Sequence, residues 1–148
     1  KSGFPCLKCW KCFRKGMLSN ALFGSEFEIE TIMKKNKEVK SKLLSYPISH
    51  ENVLIYSIQR IQVGDSDYIE KLRDRLDTEL DMSFLERWYS PSLELVPEKY
   101  RIGVKEKISE FLKVMNSSDE IILKNWNMEE FLMSETTKIA HKELKALF

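Results

Sequence analysis

Apolar residues recur along this chain mostly at helical spacing, three and four positions apart. From about Cys9 to Leu22 the pattern permits a short helix, which Gly24 ends. The stretch "SEFEIETIMKK" carries both periods. Phe27, Ile29 and Thr31 alternate as in a strand, while Ile29, Ile32 and Met33 share a helix face. Helix is favoured, because no partner strand is evident elsewhere. "NKEVKSKLLSYP" predicts a helix stopped by Pro47. Ser49 reads as the N-cap of "HENVLIYSIQRI". Val53, Leu54, Ile55, Tyr56, Ile58 and Ile61 cover most of that helix's circumference, which makes it central.

Gly64 and Asp65 turn the chain, and Ser66 caps the next helix. There Ile69, Leu72, Leu76 and Leu80 form a stripe, while Glu70, Lys71, Arg73, Asp74 and Arg75 face water. "DMSFLERWYS" predicts a shorter helix closed by Ser90-Pro91, and "PSLELVPE" an extended connector. Pro97 is placed to open a helix through about Val114, with Val104, Ile108, Phe111, Leu112 and Met115 on its buried face. Ser117 with Glu120, and Asn127 with Glu130, have capping-box spacing. The final helix is expected to bury Phe131, Leu132, Ile139, Ala140, Leu144 and Leu147. The expected fold class is all-α: an irregular helical bundle behind an N-terminal cysteine-rich metal-binding motif. The expected division is residues 1–24 for the motif and its short helix, and 25–148 for the helical domain.

Composition adds limits. A chain of 148 residues with 43% hydrophobic and 32% charged residues can bury a real core. A net charge of +1 gives no global reason to expect nucleic acid or an acidic membrane surface. No apolar run approaches the roughly 20 residues that span a bilayer. The chain begins with Lys and shows no signal-peptide pattern, so it reads as a fragment of a larger protein.

All the cysteines fall in "FPCLKCWKCFRKGM", at Cys6, Cys9 and Cys12. An odd number so tightly grouped argues against a disulfide scaffold and for a reducing, cytoplasmic setting. Soft anionic sulfur binds borderline and soft metals, and each C-x-x-C step lets two sulfurs face one ion across a tight turn. Zinc is the first reading. A ferredoxin-type run needs a fourth cysteine where Gly16 stands and proline where Met17 stands, so an iron–sulfur module is the weaker one. Either histidine, His50 or His141, is a candidate fourth ligand, and each is equally a surface residue.

Cys6-Leu-Lys-Cys9-Trp-Lys-Cys12-Phe-Arg14-Lys-Gly-Met resembles the zinc motif near the C-terminus of 7-cyano-7-deazaguanine synthases and related PP-loop ATPases. The resemblance covers residues 3–20. It implies a structural zinc held by Cys6, Cys9 and Cys12, with a further cysteine upstream. It also implies a nucleotide bound to a catalytic domain outside this sequence. The family's serine-glycine-glycine-x-aspartate-serine loop is absent here, and the long stretch after the motif departs from the family, whose members end soon after it. This chain alone is therefore expected to turn over no ATP.

Lys8, Lys11, Arg14 and Lys15 have two readings. They offset a thiolate–zinc charge and touch phosphate, of nucleotide or of nucleic acid, or they form a solvated basic face. Trp10 and Phe13 are expected to pack the motif on the helical domain rather than stack on bases. Glu129, Glu130, Glu135 and the aspartates at 65, 67, 74, 77 and 81 read as surface charges. "RWYSPSLELVPEKYR" reads as a rigid connector closing its own core. No Ser-His-Asp order, phosphate loop, H-E-x-x-H or EF-hand pattern occurs. The alternative to an ATPase fragment is a zinc-knuckle helical module that binds a protein or nucleic acid.

Overall fold

A computed structural model describes residues 9–24, 28–61, 66–78 and 80–148. The described residues are mainly helical, as the apolar spacing requires. They fall into two compact units: one formed by the chain up to Leu80 together with Met128–Phe148, the other by Asp81–Asn127.

The first unit opens with α1 (Trp10–Phe23), which Gly24 ends in the left-handed conformation at φ 61°, its N–H donating to the Asn20 carbonyl. Next come α2 (Ile29–Lys35) and α3 (Lys37–Leu43). Asn36 separates them, its side chain accepting from the Glu38 and Val39 N–H groups at 3.0 and 3.1 Å. Helix α4 (Glu51–Arg60) buries Leu54, Ile55, Tyr56, Ser57 and Ile58, as expected of a central helix. Its N-cap is His50 rather than Ser49. His50 takes φ 59° and makes no side-chain cap bond, so the chain turns into the helix by backbone conformation instead of a hydroxyl.

Helix α5 (Asp67–Leu76) starts at the expected cap: Ser66 Oγ accepts from the Ile69 N–H at 3.4 Å. Ile69, Leu72 and Leu76 are buried, and so is Leu80 beyond the helix end. Arg75 was expected in water but is 1% exposed. Its guanidinium donates to the carbonyls of Leu43 and Ser45 at the end of α3. Arg73 does the same at the end of α4, donating to the Ile61 carbonyl at 3.1 Å. Two arginines on α5 thus satisfy orphan carbonyls on two neighbouring helices.

The unit closes with α8 (Met128–Leu132) and α9 (Glu135–Ala146). Leu132, Ala140 and Leu144 are buried as expected, but Ile139 is exposed, and Phe131 and Leu147 are half-buried. Helix α9 packs on α5, and α1 packs on α4.

The second unit departs further from the sequence reading. "DMSFLERWYS" forms a 3-10 turn (Met82–Glu86) and then a two-residue strand, β1 (Arg87–Trp88). Another 3-10 segment (Ser90–Leu95) replaces the extended connector. Helix α6 (Glu98–Ser109) is shorter than expected, with Pro97 as its N-cap. The chain then leaves the helix for β2 (Lys113–Val114), which pairs in parallel with β1 in the register Arg87 to Lys113 and Trp88 to Val114. That pairing pulls Phe111 and Leu112 off the helix axis; they are 73% and 51% exposed, and only Met115 of the expected buried face is buried. Helix α7 (Ser117–Asn125) carries its capping box one residue early. Asn116 accepts from the Asp119 N–H at 2.9 Å, and Asp119 accepts from the Asn116 N–H at 3.0 Å.

Candidate functional site: the cysteine-bearing end of the first helix

Cys9 is the N-cap of α1, in extended conformation at φ −139°, ψ 160°. Its carbonyl accepts the first helical bond, from the Phe13 N–H at 3.0 Å. Cys12 lies one turn inside. Both cysteines are half-buried and neither is in a disulfide. The C-x-x-C step therefore places two thiols at the start of one helix, where unsatisfied N–H groups favour negative charge.

The rest of α1 anchors that end. Trp10 and Phe13 are buried and stack with ring centroids 5.7 Å apart, and Met17 is fully buried behind them. The two aromatics pack the motif on the helical core, as expected. Glu38 on α3 reaches the same helix start: its Oε1 accepts from the Trp10 N–H at 3.2 Å. No spacing in the sequence points to Glu38, because the contact joins residues 28 positions apart.

Lys11, Arg14 and Lys15 follow the three- and four-residue spacing of one helix face. Lys11 and Lys15 are exposed. Arg14 is half-buried, with its guanidinium carbon 5.9 Å from the Trp10 ring centroid. The Nε atom of Arg14 and the Nε1 atom of Trp10 are buried with no hydrogen-bond partner among the described residues. Cys6 and Lys8 lie outside the described residues.

Among the described residues, no three His, Cys, Asp or Glu side chains are grouped to hold a metal ion. Neither histidine is thus brought into a ligand group with Cys9 and Cys12. His50 is exposed at the start of α4. His141 on α9 packs against Tyr46, with ring centroids 5.4 Å apart. Burial first, then the nearby Arg75 and Lys145, hold the His141 imidazole below its usual pKa. Burial likewise lowers the Arg75 guanidinium, to about 10. No helix among the described residues is long and apolar enough to cross a membrane.

Residues 1–127 match the model of a family of unknown function, DUF6395, and the chain belongs to that family. The match ends where the second compact unit ends, leaving α8 and α9 beyond it. No curated protein and no solved structure matches the chain.

Proposed function

We propose that this DUF6395 chain is the zinc-bearing part of an ATPase of the PP-loop kind, resembling the 7-cyano-7-deazaguanine synthases. Its helical region serves substrate capture or partner docking. The observation that supports this reading is the pair of thiols at one end of α1, on a helix anchored by Trp10, Phe13 and Met17.

The donor set suits a borderline metal. Cys9 and Cys12 are presented together and are partly open to solvent. Cys6 would complete a three-sulfur set by the C-x-x-C-x-x-C spacing. When bound, zinc supplies a structural cross-link that fixes the chain before α1. The protein's own part is to hold the sulfurs at a rigid helix start and to surround them with cations. Lys8, Lys11, Arg14 and Lys15 offset the thiolate charge and offer a basic face to nucleotide phosphates. The serine-glycine-glycine loop of that enzyme group is absent from this sequence. ATP turnover therefore belongs, on this reading, to a separate catalytic segment.

Elemental analysis of reduced protein is expected to give about one zinc per chain. Cys12→Ser should abolish it. Zinc-free protein would overturn the metal assignment, and visible absorbance after anaerobic preparation would replace zinc by an iron–sulfur cluster. In the catalytically complete assembly, Arg14→Ala should raise KM for ATP. Unchanged kinetics would leave the cations as a solvated face.

A second reading, a non-catalytic zinc module that docks a protein, is favoured by Tyr100, Ile102, Phe111 and Leu112, all more than half exposed. Polypeptide upstream of this sequence that lacks an ATP loop would select it.

A further inference from the structure

A cavity of about 470 Å³ opens within the first unit, on residues remote in sequence from the cysteines. Three pieces of chain frame it: the turn after α3, the start of α4, and helix α8 with the residue that follows it. Ile48 and Leu132, 2% and 5% exposed, are its buried lining. Pro47, Met128 and Met133 complete the apolar wall. Met128, Glu129, Leu132 and Met133 have the one- and four-residue spacing of a single helix face. The start of α4 contributes Glu51. Local bonds hold these pieces in place. Ser45 Oγ donates to the Lys42 carbonyl at 2.7 Å and ties the turn back to α3. The Met133 N–H donates to the Glu129 carbonyl at 3.0 Å, and Thr137 Oγ1 to the Phe131 carbonyl at 3.1 Å, which fixes the end of α8.

Water is poorly held on an apolar wall, and an apolar group that displaces it gains affinity. The volume is that of a small-ligand site. Methionine, unbranched and polarizable, adapts to what it covers. The charged residues of the lining are Glu51 and Glu129, and no Lys or Arg is among the described residues that line it. Neither glutamate has an ion-pair partner among the described residues. The lining therefore favours a positive charge joined to an apolar body. A bare metal ion fits less well. Two carboxylates beside an apolar wall fall short of the about six to eight oxygens that calcium takes. Among the described residues no three potential ligands are grouped for a metal.

We propose that this cavity binds a small organic cation, an ammonium group carried on an apolar chain or ring. The apolar body lies on Ile48, Leu132 and the two methionines, and the ammonium donates to Glu51 and Glu129. The site stands apart from the ATPase reading, since it uses none of the cysteine-motif residues.

The test follows the methionine ε-methyl resonances of the whole chain by NMR. Met17 and Met33, fully buried elsewhere in the same unit, serve as internal references. Hexylammonium, hexanol and hexanoate are titrated at equal ionic strength. Saturable movement of Met128 and Met133 with hexylammonium is the expected result, with Met17 and Met33 still. Hexanol should bind about fivefold more weakly, and hexanoate more weakly again. Glu51→Gln combined with Glu129→Gln should bring hexylammonium down to the affinity of hexanol. The hexanol affinity of that variant should be unchanged, which a damaged fold would not allow. Equal affinity for hexanol and hexylammonium in the unaltered chain would overturn the proposal, leaving a cavity that does not select charge. Hexylammonium binding undiminished in the double variant would overturn it, as would the absence of saturable movement. Movement of both methyls by a Leu-Lys peptide but not by hexylammonium would overturn it too, and make the cavity a peptide-docking groove.

Discussion

The two compact units bury their apolar residues very differently. In the first, Phe13, Met17, Met33, Val39, Leu43, Leu54, Ile55, Leu72, Leu76 and Leu144 are all fully enclosed. In the second, the buried apolar residues are Met82, Phe84 and Met115, and α6 buries none. Leu95, Tyr100, Ile102, Phe111, Leu112 and Ile121 are more than half exposed there. The first unit is held by packing. The second relies more on polar contacts: the Asn116 box, the ion pair of Arg87 with Asp119, and Ser90 Oγ donating to Glu120 at 2.5 Å. Length and composition alone do not predict this division. It depends on where helices find neighbours.

The strongest way to break the comparison is by truncation. Phe13→Ala should cost about 3–5 kcal/mol in denaturant unfolding, since the ring is fully enclosed. Phe111→Ala should stay within about 0.5 kcal/mol. Equal losses would mean that Phe111 is buried in solution.

Next is Arg75→Met. It leaves the Leu43 and Ser45 carbonyls without their donor and should cost about 2–3 kcal/mol. Arg87→Met in the second unit should cost clearly less, because its pair with Asp119 is partly open to water. Residue-resolved hydrogen exchange separates the two units in this test.

Caps should sharpen the contrast by showing none. Ser66→Ala in the first unit and Asn116→Ala in the second each remove one helix-start acceptor, and each should cost about 1 kcal/mol of local stability.

The smallest effect is on pH dependence. His141 has a depressed pKa in the folded chain, so the unfolded chain binds its proton first. Stability of the first unit should decline as pH falls below about 6.5. Asp119 is also depressed, first by the bond from Arg87 and then by the Asn116 N–H. For a carboxylate this stabilises above the unfolded pKa, and the gain is lost as pH falls through about 4 and below. Exchange rates in the two units should therefore rise in separate pH windows.

The contrast also explains what was legible in the sequence. The stripe Ile69, Leu72, Leu76 and the apolar run of α4 were readable because packing there follows helical period. Arg75 was not, because its role lies in carbonyls 30 and 32 positions away. Phe111 and Leu112 fit a helix pattern, but the pairing of Lys113 and Val114 with Arg87 and Trp88 overrode it. Asn116 and Ser117 are both good caps, and Asp119 decided between them by answering Asn116. Of the candidate site, the thiols, Trp10 and Phe13 were visible as a motif. Glu38 and the cavity lined by Ile48 and Leu132 were not, since each is assembled across distant parts of the chain.

The second unit interrupts the first in chain order, and this bears on synthesis. Helix α5 is translated well before α9, the helix that covers it. At roughly 5–20 residues per second, the ribosome takes several seconds to make the stretch between them. During that interval the side of α5 that packs on α9 has no partner helix. The nascent first unit is complete only when α9 has been made, whereas every contact within the second unit joins residues of the one continuous stretch Asp81–Asn127.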